Sequence, residues 1–195
     1  MRSLTLTLMA TAAVSTLVGC GAPRPGGASS ADYPATPTAA AAPARAAGPR
    51  AIANLQPTRG NTAAGTVRFV QQGGEVVVTA RVTGLKPGQE HGFHIHEKGD
   101  CSSGDGLSAG GHFNPTGQRH GPMHAEHHLG DFPALKADAT GTAEATFQAP
   151  GLTIGSEATD IVGKGLIVHA DPDDYKTQPT GNAGARLACA VITKA

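Results

Sequence analysis

Along the middle of the chain, apolar and polar residues alternate in short windows with period two. In Glu75–Thr83, Val76, Val78, Ala80 and Val82 point one way, and Glu75, Val77, Thr79, Arg81 and Thr83 point the other. Val67 and Phe69 alternate with Thr66, Arg68 and Val70, and Ala143, Ala145 and Phe147 alternate with Thr142, Glu144, Thr146 and Gln148. Such alternation predicts half-buried antiparallel strands. Turn residues punctuate them at Gln72-Gly73-Gly74, Leu85-Lys86-Pro87-Gly88 and Ala139-Thr140-Gly141. Further strands fit Gly92–Glu97, Gly165–Ala170 and Arg186–Thr193, while stretches 98–131 and 171–185 are long and strand-poor. Long irregular loops in a compact domain usually carry function. The pattern predicts an all-β sandwich or barrel with two functional loops.

The ends of the chain change this picture. Arg2 and the diluted apolar run Leu4 to Val18 match an export signal and are too short for a durable membrane span. The signal ends in Leu17-Val18-Gly19-Cys20, which resembles the bacterial lipobox, in which the cysteine is lipidated. Ordinary secretory cleavage with Cys20 left as a free thiol is the alternative. Between Gly21 and Arg50, 21 of 30 residues are Ala, Pro or Gly, a composition that cannot build a core. The expected organisation is a signal peptide over 1–19, a lipidated Cys20 with a flexible tether over 20–55, and a folded domain over 56–195, held outside the cytoplasm on a membrane.

Charge is balanced, with 15 Lys+Arg against 15 Asp+Glu, so the chain lacks the basic footprint of a nucleic-acid binder. The 27 glycines and 14 prolines disfavour a helical bundle. Setting Cys20 aside leaves Cys101 and Cys189, and a disulfide is the default for an even pair in an exported protein. It would close a loop worth roughly 4–5 kcal/mol in the chain-entropy model. A Cys/His zinc site using Cys101 is the competing reading.

The histidines carry the chemistry. Eight of the nine lie between His91 and His128. His94-Ile95-His96 on a strand puts two imidazoles on one face, with Phe93 and Ile95 on the other. His112, His120, His128 and Asp131, spaced by eight, eight and three, offer three nitrogens and one oxygen, a closed tetrahedral set that suits structural zinc. His169 closes an apolar strand and is available to a second, imidazole-rich site. All-imidazole ligation with an open position suits copper better than Mg²⁺ or Ca²⁺. His91, His124 and His127 read as solvated loop residues.

The stretches GFHIHEKGDC, SAGGHFNP, HHLGDFPAL, GLIVHADPDD and PTGNAGARLACAVI, in that order, resemble the bacterial copper/zinc superoxide dismutases over nearly all of residues 60–195. The resemblance implies an eight-stranded Greek-key β-barrel, an architecture grouped with the β-sandwiches. It implies copper held by His94, His96, His112 and His169, and zinc held by His112, His120, His128 and Asp131, so that His112 bridges the two. It further implies Asp173 as the carboxylate orienting a ligand of each metal, a Cys101–Cys189 disulfide, Arg186 docking the substrate anion and Thr180 narrowing the channel.

The reaction implied is dismutation of superoxide to dioxygen and hydrogen peroxide. Copper would cycle between two oxidation states, and His112 would carry a proton. The partners expected are superoxide, a membrane through the lipid on Cys20, no nucleic acid, and either no second copy or one, as a homodimer.

Pro179 stands where eukaryotic members carry a steering lysine, which leaves Lys176 and Lys98 as candidates for local attraction. Once Arg2 leaves with the signal, 14 basic face 15 acidic side chains, so any attraction for an anion must be local. Two other functions fit a His-rich barrel. A copper-buffering lipoprotein would be expected to lack a copper ligand or the arginine, and a zinc-dependent sugar- or peptide-binding barrel would need no bridging histidine.

Overall fold

The computed structural model describes residues 48–195 apart from Ser156. The signal, Cys20 and most of the expected tether lie outside the described residues. Among these residues no helix is long and apolar enough to cross a membrane.

The alternating windows become strands. They are β1 (Arg50–Pro57), β2 (Ala64–Gln72), β3 (Glu75–Thr83), β4 (Glu90–His91), β5 (Phe93–His96), β6 (Leu135–Lys136), β7 (Ala143–Pro150), β8 (Gly165–His169), β9 (Arg186–Val191) and β10 (Thr193–Lys194). Eight of them form one curled antiparallel sheet in the order β5-β8-β9-β1-β2-β3-β7, with β10 also paired to β1; β4 and β6 make a separate pair. The sheet curls because β1 serves two neighbourhoods. Its first residues pair with β2 and β10, and its last two, Gln56 and Pro57, pair with Cys189 and Ala188 of β9. The β3–β7 and β5–β8 neighbours are far apart in sequence, so long crossovers join them in the Greek-key manner. The fold is all-β, as the pattern predicts.

The folded part starts earlier than residue 56. β1 opens at Arg50, inside the span expected to be tether, and its inward residues Ala51, Ala53 and Leu55 are buried. Two of those three are alanines, and they follow an Ala-rich stretch, so the alternation hardly rises above its background. The two-residue strand β6 is likewise absent from the sequence reading, and the expected strand Arg186–Thr193 is interrupted at Ile192 between β9 and β10.

The core is filled by the inward faces of these strands, including Val67, Phe69, Val76, Val78, Phe93, Ile95, Leu166 and Val168. On β8 the alternate residue Ile167 points the other way, packing with Ala109 and Cys189. Register sets His94 opposite Ile167 and His96 opposite Gly165. The outward wall of β5 and β8 is therefore where imidazoles gather. Cys101 and Cys189 are joined, their Cα atoms 5.9 Å apart, which ties the long loop to β9. That bond removes both thiolates from metal binding and ends the Cys/His zinc reading.

Candidate metal centre

The free edge of β5 organises the site. The loop returns to it twice, forming isolated antiparallel bridges that set His112 opposite His96 and Asp131 opposite His94. Five main-chain hydrogen bonds hold these passes, one of them from Phe132 N–H to Phe93 C=O (3.3 Å). Phe113 N–H donates to Ile95 C=O (2.8 Å), Ile95 N–H to Gly130 C=O (2.9 Å), Glu97 N–H to Gly111 C=O (2.9 Å) and Gly130 N–H to Phe113 C=O (2.9 Å). Extended chain alternates its side chains, so His112 and Asp131 face outward while Phe113 and Phe132, the next residue in each case, are buried in the core. Phe132 packs on Phe93 and Phe147 at centroid distances of 5.4 and 5.0 Å. A Cβ on Gly130 would collide with the Ile95 carbonyl oxygen, so this approach requires glycine.

Two buried clusters result: His94, His96, His112 and His169, and His112, His120, His128 and Asp131. Within each, one ligand atom per residue lies within 4.8 Å of every other, and His112 belongs to both. The structure thus brings together every ligand the sequence pointed to, and at the adjacent pair it takes His128 and leaves His127 in the loop, bonded through Nδ1 to Ala125 C=O.

Hydrogen bonding decides which nitrogens are free. A carbonyl can only accept, so the contacts His96 Nδ1 to Gly110 C=O (2.9 Å) and His169 Nδ1 to Gly184 C=O (3.3 Å) place the proton on Nδ1 in both rings. Their Nε2 lone pairs then face each other at 3.4 Å, an arrangement a cation between them relieves. His94 and His120 donate Nε2–H to the two oxygens of Asp173 (2.7 and 2.9 Å), which turns each Nδ1 inward. His94 Nδ1 and His112 Nε2 are buried without a hydrogen-bond partner, while His120 Nδ1 and His128 Nδ1 face the Asp131 carboxylate at 3.0 and 3.4 Å. Unpartnered buried nitrogens are costly unless something else binds them. The donors converge on two points, one all-nitrogen and one with a carboxylate, and so fit a copper ion and a zinc ion.

Electrostatics separate the two points. Burial, reinforced by His112, Arg186 and His169, lowers the pKa of His96 well below that of a free imidazole, and burial with the nearby His94 does the same for His169. Burial also brings His112 down to about 4 against the pull of Asp131. His120 is the exception. Burial works downward there too, but the hydrogen bonds to Asp131 and Asp173 outweigh it and raise the ring to about 9. Burial would raise Asp131, yet the three imidazoles around it hold its carboxyl well below the usual range, and His120 and His94 do the same for Asp173. Asp131 Oδ1 lies 2.7 Å from His112 Nδ1, and Oδ2 accepts from the N–H groups of His128 (2.9 Å) and Gly121 (3.2 Å).

Arg186 starts β9 directly opposite His169. Its guanidinium donates to Gly106 C=O (2.6 Å) and Gly110 C=O (2.7 Å), and the latter carbonyl also receives His96. One acceptor therefore fixes the arginine relative to an imidazole of the all-nitrogen cluster. Thr180 is half-buried in the second loop, next to Gly181, where a Cβ would strike Asp173 and His120. Lys176 and Lys98 are exposed; Lys98 lines a cavity with Phe113 and Lys164, and Lys176 one with His120 and Tyr175. The cavity that Arg186 lines, about 320 Å³, also carries Arg59 and Asp105, whose charges oppose one another.

One placement corrects the sequence reading. His91 is not solvated: it is 1% exposed and bonds through Nδ1 to His169 C=O at 2.8 Å. It shares the odd-numbered parity of Phe93 and Ile95, a signal that already pointed inward. Gln178 and Tyr175, absent from the sequence reading, both reach the site's surroundings. Tyr175 N–H donates to Asp173, and the Gln178 amide meets the main chain of His120. No spacing or composition marks either residue.

The model of the copper/zinc superoxide dismutase family matches residues 63–192. Among curated proteins, a "Superoxide dismutase [Cu-Zn]" of Paramecium bursaria Chlorella virus 1 is 42% identical over 66% of this chain and 71% of its own length. A "Superoxide dismutase [Cu-Zn] 2" of Aquifex aeolicus is 37% identical over 73% of this chain and 86% of its own, and one of Brassica juncea is 43% identical over 66% and 88%. The crystal structure of the clock protein EA4 superposes with a TM-score of 0.67 at 39% identity, covering 74% of this chain and 93% of that one.

Proposed function

The chain belongs to the copper/zinc superoxide dismutase family and is such an enzyme; from that premise we propose that it works as a lipid-anchored enzyme of the cell envelope, docking superoxide at Arg186 and passing a proton through His112. The observation that carries this reading is the sharing of His112 between the two clusters, with Nδ1 toward Asp131 and Nε2 buried and unpartnered toward His94, His96 and His169.

His94, His96, His112 and His169 would hold copper, which when bound supplies the one-electron chemistry that converts two superoxide ions and two protons to dioxygen and hydrogen peroxide. His112, His120, His128 and Asp131 would hold zinc. His112 Nε2, buried and facing the all-nitrogen cluster, would carry the proton handed to the reduced substrate. Asp173 spans the two clusters and orients one imidazole of each. Arg186 presents a fixed positive charge beside the all-nitrogen cluster, aimed by two carbonyls, and Thr180 narrows the approach. A complete ligand set together with the arginine is more than a copper-buffering protein needs.

For location, the Cys101–Cys189 bond fits an oxidising compartment. The Leu-Val-Gly-Cys20 sequence supports a lipid on Cys20, with the Ala/Pro-rich stretch after it acting as tether and a folded domain beyond. One pair of measurements tests the reading. Pulse radiolysis of the metal-loaded protein should show rapid superoxide decay that falls by about tenfold or more in Arg186→Ala with metal content unchanged. Radiolabelled palmitate should mark the membrane fraction of the natural chain and not of Cys20→Ser. Decay no faster than in buffer, or equal labelling of both chains, would contradict it.

A further inference from the structure

We propose that Gln178 is a positioning residue for the zinc ligand His120, a two-point clamp thrown from the second loop onto that residue's main chain. The Gln178 Oε1 accepts from His120 N–H at 2.9 Å while its Nε2 donates to His120 C=O, also at 2.9 Å. A side-chain amide carries an acceptor and a donor side by side, the pair that the N–H and C=O of one residue require. Among the described residues these are the only hydrogen bonds made by the main chain of His120. The spare Nε2 proton reaches Lys176 C=O at 3.3 Å, which fixes the plane of the amide.

This matters because of where His120 sits. Its flanks, Arg119 and Gly121, belong to irregular chain without a strand, so no sheet register holds it as register holds His94 and His96. Its side chain is gripped from two sides, by Asp131 and by Asp173, but both grips act on the ring. Without a fixed main chain the ring can move with its carboxylates. Gln178 supplies the missing anchor, and it comes from the loop that also carries Asp173. Segment 173–178 thereby holds the backbone of His120 and one side of its ring, with Asp131 on the other side. The Gln178 side chain is exposed while the main chain it grips is part of a buried residue, so the clamp closes the outer side of the zinc cluster.

The inference rests on the zinc cluster holding zinc, and its test separates the two. Zinc release from the fully metal-loaded protein is followed with a chromogenic chelator, alongside the visible copper spectrum and the melting temperature of the metal-free protein. Gln178→Ala should release zinc about tenfold faster, at the low end of the range for lost outer partners, with the copper spectrum and metal-free melting temperature unchanged. Gln178→Glu, which keeps the acceptor but aims a carboxylate at the His120 carbonyl, should release zinc at least as fast as Gln178→Ala. Lys176→Ala should match the natural chain, because its contact uses only the main chain. Equal zinc release from the natural chain and Gln178→Ala would overturn the clamp alone. So would a parallel loss of metal-free stability, which would make Gln178 a general loop support. A natural chain that takes up no zinc would overturn the site and the clamp together.

Discussion

The two halves of the metal centre share His112 but are built on opposite kinds of scaffold. On the all-nitrogen side, His94 and His96 stand on β5 and His169 ends β8, so sheet register fixes their spacing. On the other side, His120 and His128 stand on irregular chain and Asp131 on a single bridge to β5, and contacts with two carboxylates take over most of the work of the sheet. The charge states differ as well. Burial leaves the imidazoles His96 and His169 neutral, ready to bind a cation without losing a proton. His120 is held up to about 9 by Asp131 and Asp173, so in the absence of metal a proton does part of the cation's work. The strand-built half is preorganised, whereas the loop-built half is completed by whatever positive charge occupies it.

The sharpest way to break this contrast is to remove what the halves share. His112→Ala deletes one ligand from each, and superoxide turnover should fall by roughly 100-fold or more, beyond the 10–100-fold cost of losing an outer partner. Pulse radiolysis with metal analysis measures it, and activity within threefold of the natural chain would show that no bridge is needed. Asp131→Ala attacks the loop half alone. It strips the carboxylate from buried imidazoles, so the metal-free protein should lose about 3 kcal/mol in denaturant titration, with zinc uptake abolished and copper still bound. Equal loss of both metals would mean that the two halves form one unit.

The smallest effect is a proton count. His120 has a raised pKa, so the stability it contributes is fully present below pH 6.5 and is lost as pH rises through about 9. Zinc added to metal-free protein near pH 7.5 should therefore release about one proton, and the release should fade above pH 9. Copper added afterwards should release about one more, because His112 gives up its last N–H to serve both ions. A weakly buffered dye titration reads both steps; no release with zinc would place His120 neutral from the outset.

How much of this was legible depended on whether a residue acts by pattern or by meeting. Strands β2, β3 and β7 show themselves through alternating Val, Phe and Thr, and so does the face shared by His94 and His96. Ligands on the loop could be named from their spacing and from the family motifs, yet nothing in the spacing says that bridges on β5 bring His112 and Asp131 into place. β1 was obscured because Ala51 and Ala53 are small and follow a run of alanines. Gln178 was invisible, since its partner is a main chain 58 residues away and any residue has a main chain. His91 was legible and misread, as its parity with Phe93 already placed it among core residues.

The two loop passes along β5 have a consequence beyond ligand placement. A bare outer strand offers a row of unpaired N–H and C=O groups on which another chain can polymerise. Here that row is capped by the segments that carry His112 and Asp131, through the bonds of Ile95 and Glu97. Ligand placement and edge protection are therefore joined in one stretch of polypeptide: the segments that present His112 and Asp131 are the ones that cover this border.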